Sequence, residues 1–213
     1  NQLLGGSIVN AARDVSLNLA DNTAVAGMSL TASQAPAWDG GNYATSVLVQ
    51  LSNNTSILNS NIGSANQNEG IRISGLSAGS CVTERTDSLN TTISGNTIRD
   101  VLNSGVRNFK GPGDPGSPRG TYLTCNFIFY NGTGVQTDFV GDASAPPAVL
   151  VNNDIRTNTV GVRNLGVDVL TATRNWWGTR SGPGGAGPGT GNPVYGDVLF
   201  SPWLQSSAMD DAD

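Results

Sequence analysis

A six-residue window, apolar at its first and last places with Asn or Ser at its fourth, recurs along the chain. Clean copies are ILNSNI from Ile57 to Ile62, ISGNTI from Ile93 to Ile98, LTCNFI from Leu123 to Ile128 and LVNNDI from Leu150 to Ile155. Looser copies flank them: VSLNLA from Val15 to Ala20 and ATRNWW from Ala172 to Trp177. A Gly followed by an apolar residue trails the first five windows, as Gly27-Met28, Gly70-Ile71, Gly105-Val106, Gly134-Val135 and Gly161-Val162. Two landmarks in a fixed order mark an array of repeats, each too small to bury its own apolar residues and therefore stacked on its neighbours.

The closing residues Ile62, Ile98, Ile128, Ile155 and Trp177 lie 36, 30, 27 and 22 residues apart. Helical repeats keep a constant length, whereas coils of strand let extra residues bulge outward while buried strands stay stacked at about 4.8 Å. GPGDPGSPRG (111–120) and GDASAPP (141–147) read as such bulges. The fourth place holds Asn18, Asn96, Asn126 and Asn153, with Ser60 standing in. Stacked at a bend, these side chains would form an amide ladder that satisfies turn backbone groups; ordinary surface turns are the alternative.

Composition agrees with strand and turn. The 213 residues include 28 Gly but one Lys, Lys110, and two Glu, Glu69 and Glu84, so the residues that load solvent-facing helices are nearly missing. Charged residues make up 13%, below the ~25% of ordinary domains, while Val, Ile and Leu are frequent, which excludes disorder. The net charge of −5 argues against nucleic acid, and no apolar run approaches the ~18 residues of a membrane span. With no His, and with Cys81 and Cys125 as the only cysteines, neither the usual general base nor a zinc site can be assembled; no cofactor or metal is called for.

The windows and their Gly-apolar followers resemble the repeats of right-handed parallel β-helix proteins, the pectate-lyase-like solenoids. The stretch Asn175-Trp176-Trp177-Gly178, Gly182-Pro183, Val198 and Ser201-Pro202-Trp203-Leu204 resembles the NWWG...GP...V...SPWL ending of secreted and surface members. The resemblance runs from about residue 15 to 204. It implies an all-β, single-stranded right-handed parallel β-helix of about six or seven coils, roughly 30 Å tall, its hand agreeing with the rule for parallel crossovers. Residues 1–213 read as one such domain, with 172–204 an aromatic capping region and 205–213 a polar tail. The expected core holds Ile57, Ile62, Ile71, Ile93, Ile98, Val106, Ile128, Val135, Ile155 and Val162.

The same fold carries lyases, hydrolases, adhesins and scaffolds, so function has to come from particular residues. Outward places after the Gly-apolar pairs hold Ser29, Arg72, Arg107, Gln136 and Arg163, and Arg99 and Arg156 share the place after the closing Ile. Stacked guanidinium groups suit an anionic polysaccharide, whose carboxylates or sulfates accept forked hydrogen bonds; a solvated face with local Asp partners is the alternative. No catalytic pair is evident. Asp100, Asp138, Asp142, Asp154 and Asp168 occupy non-equivalent places, Glu69 reads as isolated, and the His of polygalacturonase-type members is missing. The expectation is therefore a non-catalytic extracellular or cell-surface solenoid, with a polysaccharide lyase or glycoside hydrolase as the alternative.

Four further expectations follow. Trp176, Trp177, Phe200, Trp203 and Leu204 should plug the C-terminal coil, whereas Leu3, Leu4, Ile8 and Val9 offer an open N-terminal edge suited either to head-to-tail self-association and filaments or to cover by a missing upstream segment. Cys125, at the third place of its window, should be buried; a disulfide to Cys81 and a pair of free thiols both stay open. Asn54, Asn90 and Asn131 begin glycosylation sequons. The tail through Asp213 should be held by a contact, and its Asp210, Asp211 and Asp213 are candidates to pair with Arg13 or Arg180 of a neighbour.

Overall fold

A computed structural model of the chain describes residues 2–9, 13–31, 44–65, 67–76, 86–111, 113–138 and 148–207. Cys81, the 141–147 bulge with Asp142, and tail residues 208–213 lie outside them. No helix occurs among the described residues, and every strand pairing is parallel. The chain is a parallel β-helix. A 12-stranded sheet is folded into two faces at the third place of the window, and an 8-stranded sheet forms a third face.

Each coil crosses the faces in order. The window's opening half supplies the first face, as in Ser56–Leu58, Thr92–Ser94, Thr121–Thr124 and Ala148–Val151. Its closing half supplies the second, as in Thr97–Arg99, Phe127–Phe129 and Asp154–Arg156. The Gly-apolar segment supplies the third: Arg13–Asn18, Thr45–Gln50, Glu69–Ser74, Ser104–Phe109, Thr133–Thr137, Val160–Asn164 and Gly191–Tyr195, one strand from each of seven coils. The coils follow the expected range of six or seven.

Three apolar columns run up the interior. Val25, Ile57, Ile93, Leu123 and Leu150 pair in register on the first face, and Leu30, Ile62, Ile98, Ile128 and Ile155 on the second. Val15, Val47, Ile71, Val106, Val135, Val162 and Val194 complete the third. All are buried, the ten expected core residues among them. Each contributes about 1.5–3 kcal/mol on burial.

The bend between the first two faces carries the ladder. The backbone and side-chain N–H groups of Asn96 both donate to Asn126 Oδ1 at 3.0 Å. Asn126 does the same to Asn153, and Asn153 to Asn175, at 2.9–3.0 Å. Each Nδ2 also donates to a carbonyl one coil back, Ile57, Ile93, Leu123 and Leu150 in turn. Below Asn96 the rung is Ser60, whose Oγ accepts from Met28 N at 3.1 Å.

Asn18 is not a rung. It is exposed at the end of a third-face strand, opposite Gln50. Val15 and Leu17 point inward with strand alternation, so the loose copy imitated a window without being one. The true windows of the first two coils are Leu3–Ile8 and Val25–Leu30, paired Leu3↔Val25 and Gly6↔Met28. Their fourth places, Gly6 and Met28, carry no amide. Gly27-Met28 accordingly belongs to this bend, and Ser29, opposite Ser7 and Asn61, lies on the second face, away from Arg72.

Cys125 is exposed and free, contrary to expectation. The third place of the window takes a left-handed backbone, φ +55° at Cys125 and +68° at Gly95, which turns its side chain out of the bend. The Gly of the Gly-apolar pair has a different cause. A Cβ on Gly134 would stand 2.6 Å from the carbonyl oxygen of Gly161 and 3.1 Å from Asn158 Nδ2, so the next coil leaves no room for one. A second ladder runs beside these glycines: Asn131 donates to Asn158 Oδ1, and Asn158 to Asn192 Oδ1. Asn131 is thus a buried rung, closed to glycosylation.

At the C-terminal end Trp177 is buried, and Phe200 and Trp203 pack against the core. Trp176 sits on the second face beside Asp154, and Leu204 N bonds Asn175 O at 3.0 Å. Pro183–Gly185 lies along the last third-face strand, and the Ser207 hydroxyl donates to Asp154. At the other end, Gln2–Val9 pairs only with Ala24–Thr31 among the described residues, and Leu3 and Leu4 are exposed.

Candidate binding face

Outward places on the third face bring Leu48, Arg72, Arg107, Gln136, Arg163 and Tyr195 into one column, each opposite the next in register. The alternation that sends Ile71, Val106, Val135 and Val162 into the core sends their followers out. Four of the predicted site residues therefore stand in a row.

Their surroundings differ sharply along the row. Arg72 donates to Glu69 Oε2 at 3.3 Å and covers the Phe109 ring, its guanidinium carbon 3.7 Å from the centroid. Arg107 bonds Glu69 Oε1 at 2.8 Å with NH1 and Asp138 Oδ2 at 2.5 Å with Nε, so it joins the coils below and above. Glu69 is only 1% exposed, and Asp138 also accepts from Gln136 Nε2 at 2.7 Å. Burial pulls the Arg107 guanidinium toward deprotonation, but hydrogen bonds and charge from Glu69 and Asp138 outweigh it and hold the pKa above its ordinary value.

Glu69 is thus far from isolated. It lies three residues before Arg72, a spacing that a strand-period reading passes over because the side chains at i and i+3 of a regular strand face opposite ways. The two side chains nonetheless meet, Arg72 NH1 standing 3.3 Å from Glu69 Oε2. Tyr195 was missed because Pro193 stands where other coils have Gly, which hides the signature.

Arg163 has no hydrogen-bond or ion-pair partner among the described residues. It separates two depressions and lines both. One, of about 340 Å³, includes Asn103, Ser104, Thr133 and Gln136; the other, of about 360 Å³, includes Asn164, Leu165, Tyr195 and Gly196.

Arg99 and Arg156 do share a column on the second face, with Phe129 between them. Both are engaged locally, Arg99 with Asp100 at 3.3 Å and Arg156 with Asp154 at 3.6 Å. Arg156 also lies over Phe127, which stacks on Phe129 at 4.2 Å. No group of three or more metal-ligating side chains occurs among the described residues.

Fold and face together define a β-helix that displays arginine, glutamine and tyrosine along one side. The chain belongs to the DUF1565 family, described as a protein of unknown function, which matches residues 3–178. Among solved structures it is similar to the alginate lyase from Paenibacillus sp. str. FPU-7, with a TM-score of 0.43 and 13% identity, covering 91% of this chain and 80% of that one. No curated protein matches the sequence.

Proposed function

We propose that the chain is a non-catalytic solenoid of an extracellular or cell-surface assembly that contacts polysaccharide with its third face. The observation that carries this reading is the engagement of both carboxylates near the column. Glycoside hydrolysis needs a carboxyl group that touches the sugar and donates a proton, with a second one about 5–9.5 Å away. Glu69 and Asp138 are 1% and 8% exposed, and both are ion-paired to Arg107. Their role is to fix the arginine. What the face offers a ligand are arginines, an amide and a phenol ring, groups that suit sugar binding.

The test is incubation of the full chain with acidic and neutral polysaccharides, assayed for retention and for new reducing or unsaturated ends. Retention without new ends is expected. New ends that vanish in Glu69→Gln or Asp138→Asn, with the melting temperature preserved, would make the enzyme reading correct.

A further inference from the structure

We infer that the third face reads its ligand at Arg163, which receives one carboxylate or sulfate of an acidic glycan lying along the solenoid axis, with Gln136 and Tyr195 on the coils either side. This rests on the polysaccharide reading above and narrows it to one half of the column.

Charge balance separates the halves. Arg72 and Arg107 face Glu69 and Asp138, two cations against two carboxylates, and both guanidinium groups also lie over Phe109, at 3.7 and 4.8 Å. An incoming anion there would have to displace a buried carboxylate that is already hydrogen-bonded. Arg163 meets no such competitor. A half-buried guanidinium offers a planar fork of donors, which matches a carboxylate or sulfate.

The depressions that share Arg163 differ in character as a sugar site requires. On one side Asn103 and Gln136 present amides that suit sugar hydroxyls, with the ion-paired Arg107 in the same lining. On the other, Leu165 and Tyr195, 56% and 45% exposed, present an apolar and aromatic surface to the face of a ring. Gln136, Arg163 and Tyr195 occupy consecutive coils, spanning about 10 Å of axis at ~4.8 Å per coil. Consecutive rings of an axial glycan would therefore meet first the amide, then the cation, then the phenol. One unengaged arginine fits a singly charged group; a phosphate, at about −1.5 to −2, calls for clustered cations, and Arg107, which lines the same depression, is held by Glu69 and Asp138. The chain as a whole carries −5, so attraction is local, and binding should weaken with salt.

The experiment is affinity electrophoresis of the full chain in gels containing polygalacturonate, dextran sulfate or neutral dextran, each variant checked by its melting temperature. The wild-type chain should be retarded by an acidic polymer and little by dextran; which acidic polymer acts identifies carboxylate or sulfate as the group read. Arg163→Ala should lose about tenfold or more in affinity, the scale of a charged hydrogen bond, and Arg163→Lys should recover part of it. Arg174→Ala removes an exposed arginine at the bend between the other two faces and should change nothing, which separates a local contact from overall charge. If an acidic polymer retards the wild type and Arg163→Ala equally, the Arg163 assignment is wrong while the polysaccharide reading stands. Equal retardation by dextran and the acidic polymers refutes the anion contact. No retardation by any polymer overturns the polysaccharide reading itself.

Discussion

A single side-chain amide in this fold makes five hydrogen bonds. Asn126 Oδ1 accepts from Asn96 N and Nδ2, while its Nδ2 donates to Ile93 O, Thr124 O and Asn153 Oδ1, all at the bend. Asn126→Ala orphans several buried groups at once, each costing about 1–3 kcal/mol, so the urea midpoint should fall steeply. Asn90→Gly tests the contrast: Asn90 has the same left-handed backbone, φ +57°, but its amide bonds Asn54 on the exposed surface. Glycine accepts that conformation, and the midpoint should move by no more than about 0.5 kcal/mol. Gly134→Ala should resemble Asn126→Ala, because the obstructing atom is a backbone oxygen of the next coil that cannot swing away.

Strands here are tied across coils as well as within them. Arg107 links Glu69 on the preceding strand to Asp138 at the end of the following one. Its pKa is raised above the ordinary arginine value, so the protonated form stabilises the fold at every pH below that value, and this contribution fades only in strong base. Arg107→Met leaves Glu69 buried without its shortest ion pair, at a cost of up to about 3–5 kcal/mol at neutral pH. The loss should be smaller in Arg107→Met/Glu69→Gln, and chemical denaturation of the three proteins measures the difference.

At the scale of the molecule, each coil touches only its neighbours, so the outermost described coils are where a further copy would continue the stack. Among the described residues Gln2–Val9 is paired on one side, with Ala24–Thr31, whereas the last coil is covered by Pro183–Gly185 and by Trp203, whose indole N–H donates to Arg180 O at 3.1 Å. Head-to-tail stacking would have to displace that cover. Trp203→Ala exposes apolar surface of the last coil and costs less than the ~3–5 kcal/mol of a fully buried Trp. The variant should sediment as larger species at concentrations where the unaltered chain does not, and unchanged sedimentation would show that Trp203 does not restrain association.

The repeat itself was legible in the sequence because stacking imposes identity: equivalent places in each coil meet the same surroundings, so Ile93, Leu123 and Leu150 recur at one place, and Gly105, Gly134 and Gly161 at another. The ten core residues and the Arg72–Arg163 column follow from that periodicity. It failed where a coil departs from the pattern, at Gly6 and Met28 in place of amides and at Pro193 in place of Gly. The burial of Cys125 was misjudged because a left-handed bend reverses the alternation of a strand. Which arginine is available was decided only by tertiary structure. Glu69, Arg107 and Asp138 come from three coils, up to 69 positions apart in the chain, and sequence spacing carries no record of side chains that meet across the stack.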